Sequence, residues 1–231
     1  MTNKLRLLLF GLAASLHLAC AASEPCTVKM EQSPELRGFR LGMSLQDIQK
    51  RFPGFPTVSA NQFGLATVEV SNTYVRNVID RPAGENVISL VSASSFPELS
   101  GVKHVELKLL DGRLTEVTVY YPDDIKWKSA DEFVQKTGEG LKLNGTWKKL
   151  GEDTDFSENR HLQCGGVFEG FNVSAGFRKP TLENPNLEER KLPYVRLEDF
   201  MHGEMEVYRR KKQNEENANR REEERKQDFK P

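Results

Sequence analysis

The chain has 231 residues, with 33 lysines and arginines against 34 aspartates and glutamates, for a net charge of −1 at neutral pH. A field so close to zero draws neither nucleic acid nor an anionic membrane surface by long-range attraction. Setting aside the two ends discussed below, residues 22–196 suffice for one domain of ordinary size or two small ones in tandem.

The chain opens MTNKLRLLLFGLAASLHLACAAS. Lys4 and Arg6 form a charged start, Leu7 to Leu18 is an apolar stretch broken only weakly, by Ser15 and His17, and the small residues Ala19, Cys20, Ala21 and Ala22 follow. That order predicts a secretory signal peptide over residues 1–21. Its apolar run of about twelve residues falls short of the roughly twenty a membrane span needs. Ala19-Cys20-Ala21 suits ordinary signal peptidase. Cleavage before Cys20 would instead leave a lipidated N-terminal cysteine, as in bacterial lipoproteins, although those carry leucine where His17 stands. The expected location is therefore periplasmic or secreted, with an outer-membrane lipoprotein as the alternative. Membrane contact is expected only if Cys20 is lipidated. Removing residues 1–19 takes away Lys4 and Arg6 and no acid, leaving 31 basic against 34 acidic residues. Either route leaves Cys26 and Cys164, which in an oxidising compartment read as one disulfide. No C-x-x-C spacing or histidine partner favours a reactive thiol or a metal ligand at either cysteine.

The first element follows LRGFRLGMSLQDIQKRFPG, Leu36 to Gly54. Ser44 and Asp47 have the spacing of a helix start, in which the hydroxyl satisfies a free backbone N–H and the acid complements the helix dipole. Leu45, Ile48 and Phe52 fall on one stripe, and Pro53-Gly54 ends the run. Gly38 and Gly42 permit sharp turns on the way in. Gly38, Leu41, Gly42, Met43 and Ser44 thus read as a structural motif rather than a reactive one.

Strands are predicted at Ala66–Ser71 and Val87–Val91, and a hairpin over VKHVELKLLDGRLTEVTVYY. Asp111-Gly112 invites a two-residue turn. Pairing Leu110 with Arg113 would, however, set Leu107 opposite Glu116 and split the apolar residues between faces. A three-residue loop with Gly112 at positive φ keeps Val105 and Leu107 opposite the 115/117/119 set, and is the expectation.

Ser129 caps a second helix, with Ala130, Phe133, Val134, Thr137, Gly138 and Leu141 on one face. Trp127 and Trp147 are expected to seal its ends. A second hairpin runs from Leu162 and Cys164, through a turn near Glu169-Gly170, to Phe171, Val173, Ala175 and Phe177, and a last strand lies at Tyr194–Leu197. Val58–Phe63 and Leu150–Arg160 read as polar connections. The order predicts an α+β fold of short helices on an antiparallel sheet, with similar halves near 36–121 and 129–196 as one reading.

Residues 197–231 form a charged helical tail. Gly203 to Pro231 holds nine basic and eight acidic residues in alternating blocks. Leu197, Phe200, Met201, Met205 and Tyr208 give a stripe expected to dock its start. Glu216 with Arg220, and Glu222 with Lys226, are spaced for ion pairs.

The sequence assigns no catalytic residue, no metal ligand and no cofactor. His104, His161 and His202 are scattered, without H-E-x-x-H or C-x-x-C. Asp153, Asp155 and Ser157 begin like a calcium loop, yet Glu158 stands where glycine is required and Cys164 where a bidentate glutamate is required. No G-x-S-x-G, phosphate-binding loop or S-x-x-K occurs. No carboxylate stands in an apolar stretch that would raise its pKa.

Leu41, Gly42, Met43, Ser44 and Ile48, followed by a hairpin ending in a DG turn, resemble the opening of small bacterial envelope proteins of the BamE/SmpA and β-lactamase-inhibitor-protein type. The chain also resembles exported bacterial proteins that share the LGMS and K-W-K-S-x-D-E-F segments, a likeness that implies no function. The first resemblance implies a helical layer on an antiparallel sheet and protein binding without catalysis. The expected partner is another envelope protein. A lipid-anchored structural scaffold and a hydrolase without a recognisable motif are the alternatives.

Overall fold

A computed structural model describes residues 25–71, 88–92, 95–149, 151–154, 157–166, 169–178 and 191–228. The signal peptide and Cys20 lie outside the described residues.

The glycine-flanked segment is architectural. Helix α1, Leu45–Arg51, has a full capping box: Ser44 Oγ accepts from the Asp47 amide at 3.1 Å, and the Asp47 carboxylate accepts from the Ser44 amide at 3.1 Å. Seven residues cannot hold a helix alone, so its stability comes from the buried Ile48 and the following Phe52. Upstream, the Gly42 amide donates to Leu114 O at 2.7 Å and the Leu114 amide donates to Met43 O at 2.8 Å. The Leu45 amide completes the set on Gly112 O at 2.8 Å. LGMS is thus annealed to the central hairpin turn, and Gly42, at φ 80°, supplies a left-handed conformation on the way. Met43 Sδ accepts from the Arg40 amide, and the Arg40 guanidinium pairs with Glu35 at 2.7 Å.

Among the described residues, seven strands form one sheet: β1 Leu65–Ser71, β2 Ile88–Ser92, β3 His104–Leu110, β4 Arg113–Tyr120, β5 Ser157–Cys164, β6 Phe171–Arg178 and β7 Leu192–Glu198. Their spatial order is β2-β1-β3-β4-β7-β6-β5, and only the β1–β2 pair is parallel. α1 precedes the meander β1-β3-β4, and α2, Ala130–Leu141, precedes the meander β5-β6-β7. The two meanders meet where β4 pairs with β7, and their inward residues share one core cluster. The fold is α+β, with Ile48, Phe52, Phe133 and Val134 of the helical layer packed with Val68, Leu107, Val117, Val173 and Leu197 of the sheet.

Two sequence expectations are corrected here. The β3–β4 turn has two residues: Leu110 pairs with Arg113, and Asp111 (φ 50°) and Gly112 (φ 74°) are both left-handed, as a type I′ turn requires. The parity conflict is resolved inside the ladder. Lys108 pairs with Glu116 but Leu109 pairs with Leu114, so Thr115 is an extra residue, a bulge that restores Leu107 opposite Val117 and Val105 opposite Val119. Gly112 at positive φ stands as expected. The second correction is β5, which begins at Ser157 within the stretch expected to be a connection. Its first residues are polar and half-buried, and backbone pairing to β6 holds them without any apolar alternation.

α2 is capped by Ser129 Oγ, which accepts from the Glu132 amide at 3.2 Å. Trp127 packs edge-on against Phe133 with centroids 5.1 Å apart. Trp147 lies over Gly138 near the other end, where an added Cβ would come within 3.1 Å of the indole nitrogen. The tryptophans do close the helix.

Candidate functional site

Period-2 alternation gives the sheet a second face, polar across its central strands, with Leu65, Leu110 and Leu192 toward its margins. Across β1, β3, β4 and β7 run Thr67, Lys108, Glu116 and Glu198, and beside them Glu69, Glu106, Thr118 and Arg196. A third row holds Ser71, His104, Tyr120 and Tyr194. Glu69, His104, Glu116, Thr118, Tyr120, Tyr194 and Glu198 are all buried. Buried polar groups are costly unless paired, and this face is only partly paired. Among the described residues, both ring nitrogens of His104, the Tyr120 hydroxyl, Glu106 Oε1, Arg196 Nε and Glu198 Oε1 have no hydrogen-bond partner. His104 Nε2 and Glu106 Oε1 are 3.4 Å apart without hydrogen-bond alignment.

The chain leaves β7 at this face and turns into a π-helical turn, Met201–Met205, which continues as α3, Glu206–Asp228. Of the apolar stripe expected to dock this helix, only Leu197 is buried and Met201 half-buried, and the rest stands in solvent. Phe200, Met205 and Tyr208 are 40%, 37% and 64% exposed. The docking is polar instead, because the surface beneath is polar. The Asp199 amide donates to Thr115 O at 2.8 Å, and Gly203 sits on the Thr115 side chain, where a Cβ would lie 3.4 Å away. Arg210 reaches across to the Asp111 carboxylate (2.7 and 3.1 Å) and to Phe63 O (2.9 Å). That hydrogen bond holds the Asp111 carboxyl below its ordinary range. Arg210→Ala is expected to cost at most about 1 kcal/mol globally, because the pair is half-exposed. It should nonetheless accelerate amide hydrogen exchange over residues 206–212, and unchanged exchange there would show that the contacts of Asp199 and Gly203 with Thr115 seat the helix without Arg210.

Between the root of α3 and the polar face lies a cleft of about 320 Å³. One carboxylate oxygen from each of Glu116, Glu198 and Glu204 lies within 4.8 Å of the others, a spacing that could hold a metal ion. The Lys108 ammonium already stands among them, 2.8 Å from Glu116 and 3.9 Å from Glu204. Glu116 also accepts from Thr118 Oγ1 at 3.3 Å, and Arg196 donates to Glu198. Burial raises the Glu198 pKa, and the attraction of Arg196 only partly reverses this. Burial alone would lower Arg196, but the charges of Glu116 and Glu198 more than reverse it. Burial also raises Tyr120, with the Glu106 charge adding to the effect.

The sequence expectation that no carboxylate has an environment to raise its pKa is therefore corrected at Glu198. Nothing in VRLEDF signals it, because the residues that bury Glu198 come from other strands and from α3. The histidines are not brought together. His104 on β3 and His161 on β5 are four strands apart, roughly 19 Å at about 4.8 Å per strand. His161 Nδ1 and Ser174 Oγ are hydrogen bonded at 2.7 Å, and burial followed by the Arg196 charge lowers the imidazole pKa. His202 is exposed, 3.2 Å from Asp199. Asp153 of the calcium-like stretch is taken up by Lys149 (2.6 Å) and Arg160 (3.2 Å), while Asp155 lies outside the described residues.

Cys26 and Cys164 are disulfide bonded across 138 positions of sequence, consistent with an oxidising, exported environment. Among the described residues, no helix is long and apolar enough to cross a membrane. No family model, no curated protein and no solved structure matches the chain.

Proposed function

We propose that the protein is a non-catalytic binding module of the bacterial envelope, working in the periplasm or secreted, and that it docks another envelope protein on the root of α3. The carrying observation is that Phe200, Met205 and Tyr208 stand exposed on one short stretch beside a cleft. Large aromatic and methionine side chains clustered in solvent mark contact surfaces more often than bare exterior. The disulfide and the likeness of the LGMS segment to small envelope proteins support the setting. A photo-crosslinking amino acid at Met205 or Tyr208 in living cells should give one discrete adduct, and one at Lys50 on α1 should give none. Equal patterns from both faces, or none from α3, would end this reading.

One observation favours a second reading, a scaffold anchored through a lipidated Cys20. From Lys211 to Lys226 every residue of α3 except the half-buried Asn217 is exposed. At about 1.5 Å per residue, positions 212–228 make a strut of about 25 Å. Lys226 pairs with Glu222 at 2.7 Å as expected, but Arg220 donates to Asn217 and Glu216 pairs with Lys212 instead. A Cys20→Ala variant with unchanged membrane partitioning removes the anchor.

A further inference from the structure

We infer that the cleft at the root of α3 receives a lysine or arginine side chain of the docked protein, an inference that rests on the binding reading above. The acidic cluster alone would not carry this. The second observation is Glu198, whose side chain is 8% exposed and lines the cleft, and whose Oε1 is buried with no hydrogen-bond partner among the described residues. It is an acceptor held ready, and a buried acceptor without a donor is costly.

The charge count specifies the visitor. Glu116, Glu198 and Glu204 share two cations, Lys108 on Glu116 and Arg196 on Glu198. Lys211 also lines the cleft but lies over the Phe63 ring at 5.7 Å. Asp199 caps the π-turn by accepting from the His202 amide at 3.1 Å, and its other oxygen is 3.2 Å from His202 Nδ1. With Lys211 and Asp199 offsetting each other, four carboxylates meet three cations, and one unit of positive charge remains to be matched. An anion would face three carboxylates. A divalent ion would overshoot and would sit against the Lys108 ammonium. A side chain that ends in one diffuse positive charge fits. Its aliphatic stem would pass Leu65 and Val207, which line the cleft, and the exposed Tyr208 ring at the edge offers a cation–π face. Arginine has the advantage of a planar fork that can address two carboxylates at once.

The test is an NMR titration of the full chain with Nα-acetyl-arginine methylamide. The citrulline analogue serves as neutral isostere and calcium chloride as the competing cation, at constant ionic strength. The arginine compound should shift the amides of Thr67, Thr115, Glu198 and Glu204, while the citrulline analogue should leave them in place. Glu204→Gln, at a half-exposed position that tolerates exchange, should weaken binding at least fivefold, and Glu204→Lys should abolish it. Equal shifts from the citrulline analogue, no localised shifts, or calcium occupying the site and excluding the arginine compound would each overturn the inference. The two readings fail separately. A Tyr208 crosslink that persists unweakened in Glu204→Lys sinks the cleft and leaves the docking surface standing, whereas no crosslink in the unaltered chain sinks the docking surface.

Discussion

Replacing both Cys26 and Cys164 with alanine is expected to lower the unfolding free energy by about 4–5 kcal/mol, the figure that the chain-entropy account assigns to closing a loop of this size. The bond is the long-range tie between the first described residues and β5. Cys26 also forms a parallel bridge with Cys164, and the Gly165 amide donates to Cys26 O at 3.0 Å. Both cysteines are buried, and Gly145 approaches so closely that an added Cβ would lie 3.1 Å from Cys26 Cβ. Urea unfolding of the double variant, and of the native chain with and without reductant, measures the effect. A loss under about 1 kcal/mol would mean that the disulfide constrains the unfolded chain far less than its span implies.

Phe52→Ala should cost about 3–5 kcal/mol, the range for deleting a fully buried phenylalanine ring. Phe52 has no exposed surface. It stacks on Phe39 with centroids 4.5 Å apart and meets Phe96 edge-on at 5.6 Å. Such geometries add to plain area burial. One ring therefore joins the loop before α1, the end of α1 and the segment leading into β3. Gly38 is part of the same fit, since a Cβ there would come within 3.0 Å of the Phe52 ring. Phe52→Leu should cost distinctly less, because it keeps most of the volume. Thermal unfolding of both variants checks the order, and a near-native midpoint for the alanine variant would remove α1 from the core that holds the sheet together.

Local rules made much of the architecture legible. Ser44 with Asp47, and Ser129 with Glu132, announce two helices because a cap needs only a few residues and little tertiary context. The disulfide followed from two cysteines left to pair once the opening residues are read as an export leader. The misreadings share a cause in relations between distant segments. The Asp111-Gly112 signal for a two-residue turn was set aside for a three-residue loop, because the compensating bulge at Thr115 depends on which residues face the core. The burial of Glu198 and the exposure of Met205 and Tyr208 both depend on where α3 comes to rest. That resting place is set by Gly203 on Thr115 and by Arg210 on Asp111, contacts between residues far apart in the chain. Alternation shows that Arg196 and Glu198 share a face, and says nothing of what lies above it.

The outer flank of β5 carries a consequence of its own. At one end the Cys26 segment bridges Cys164, and further along Lys148 and His161 exchange backbone hydrogen bonds of 2.7 and 2.8 Å. An open strand margin invites another chain to add itself in register, and short stapled pieces of backbone refuse that invitation. Breaking the sulfur–sulfur link would therefore do more than soften the molecule. It would bare a template for self-assembly, so the reduced protein should be lost to aggregates well before it is lost to unfolding.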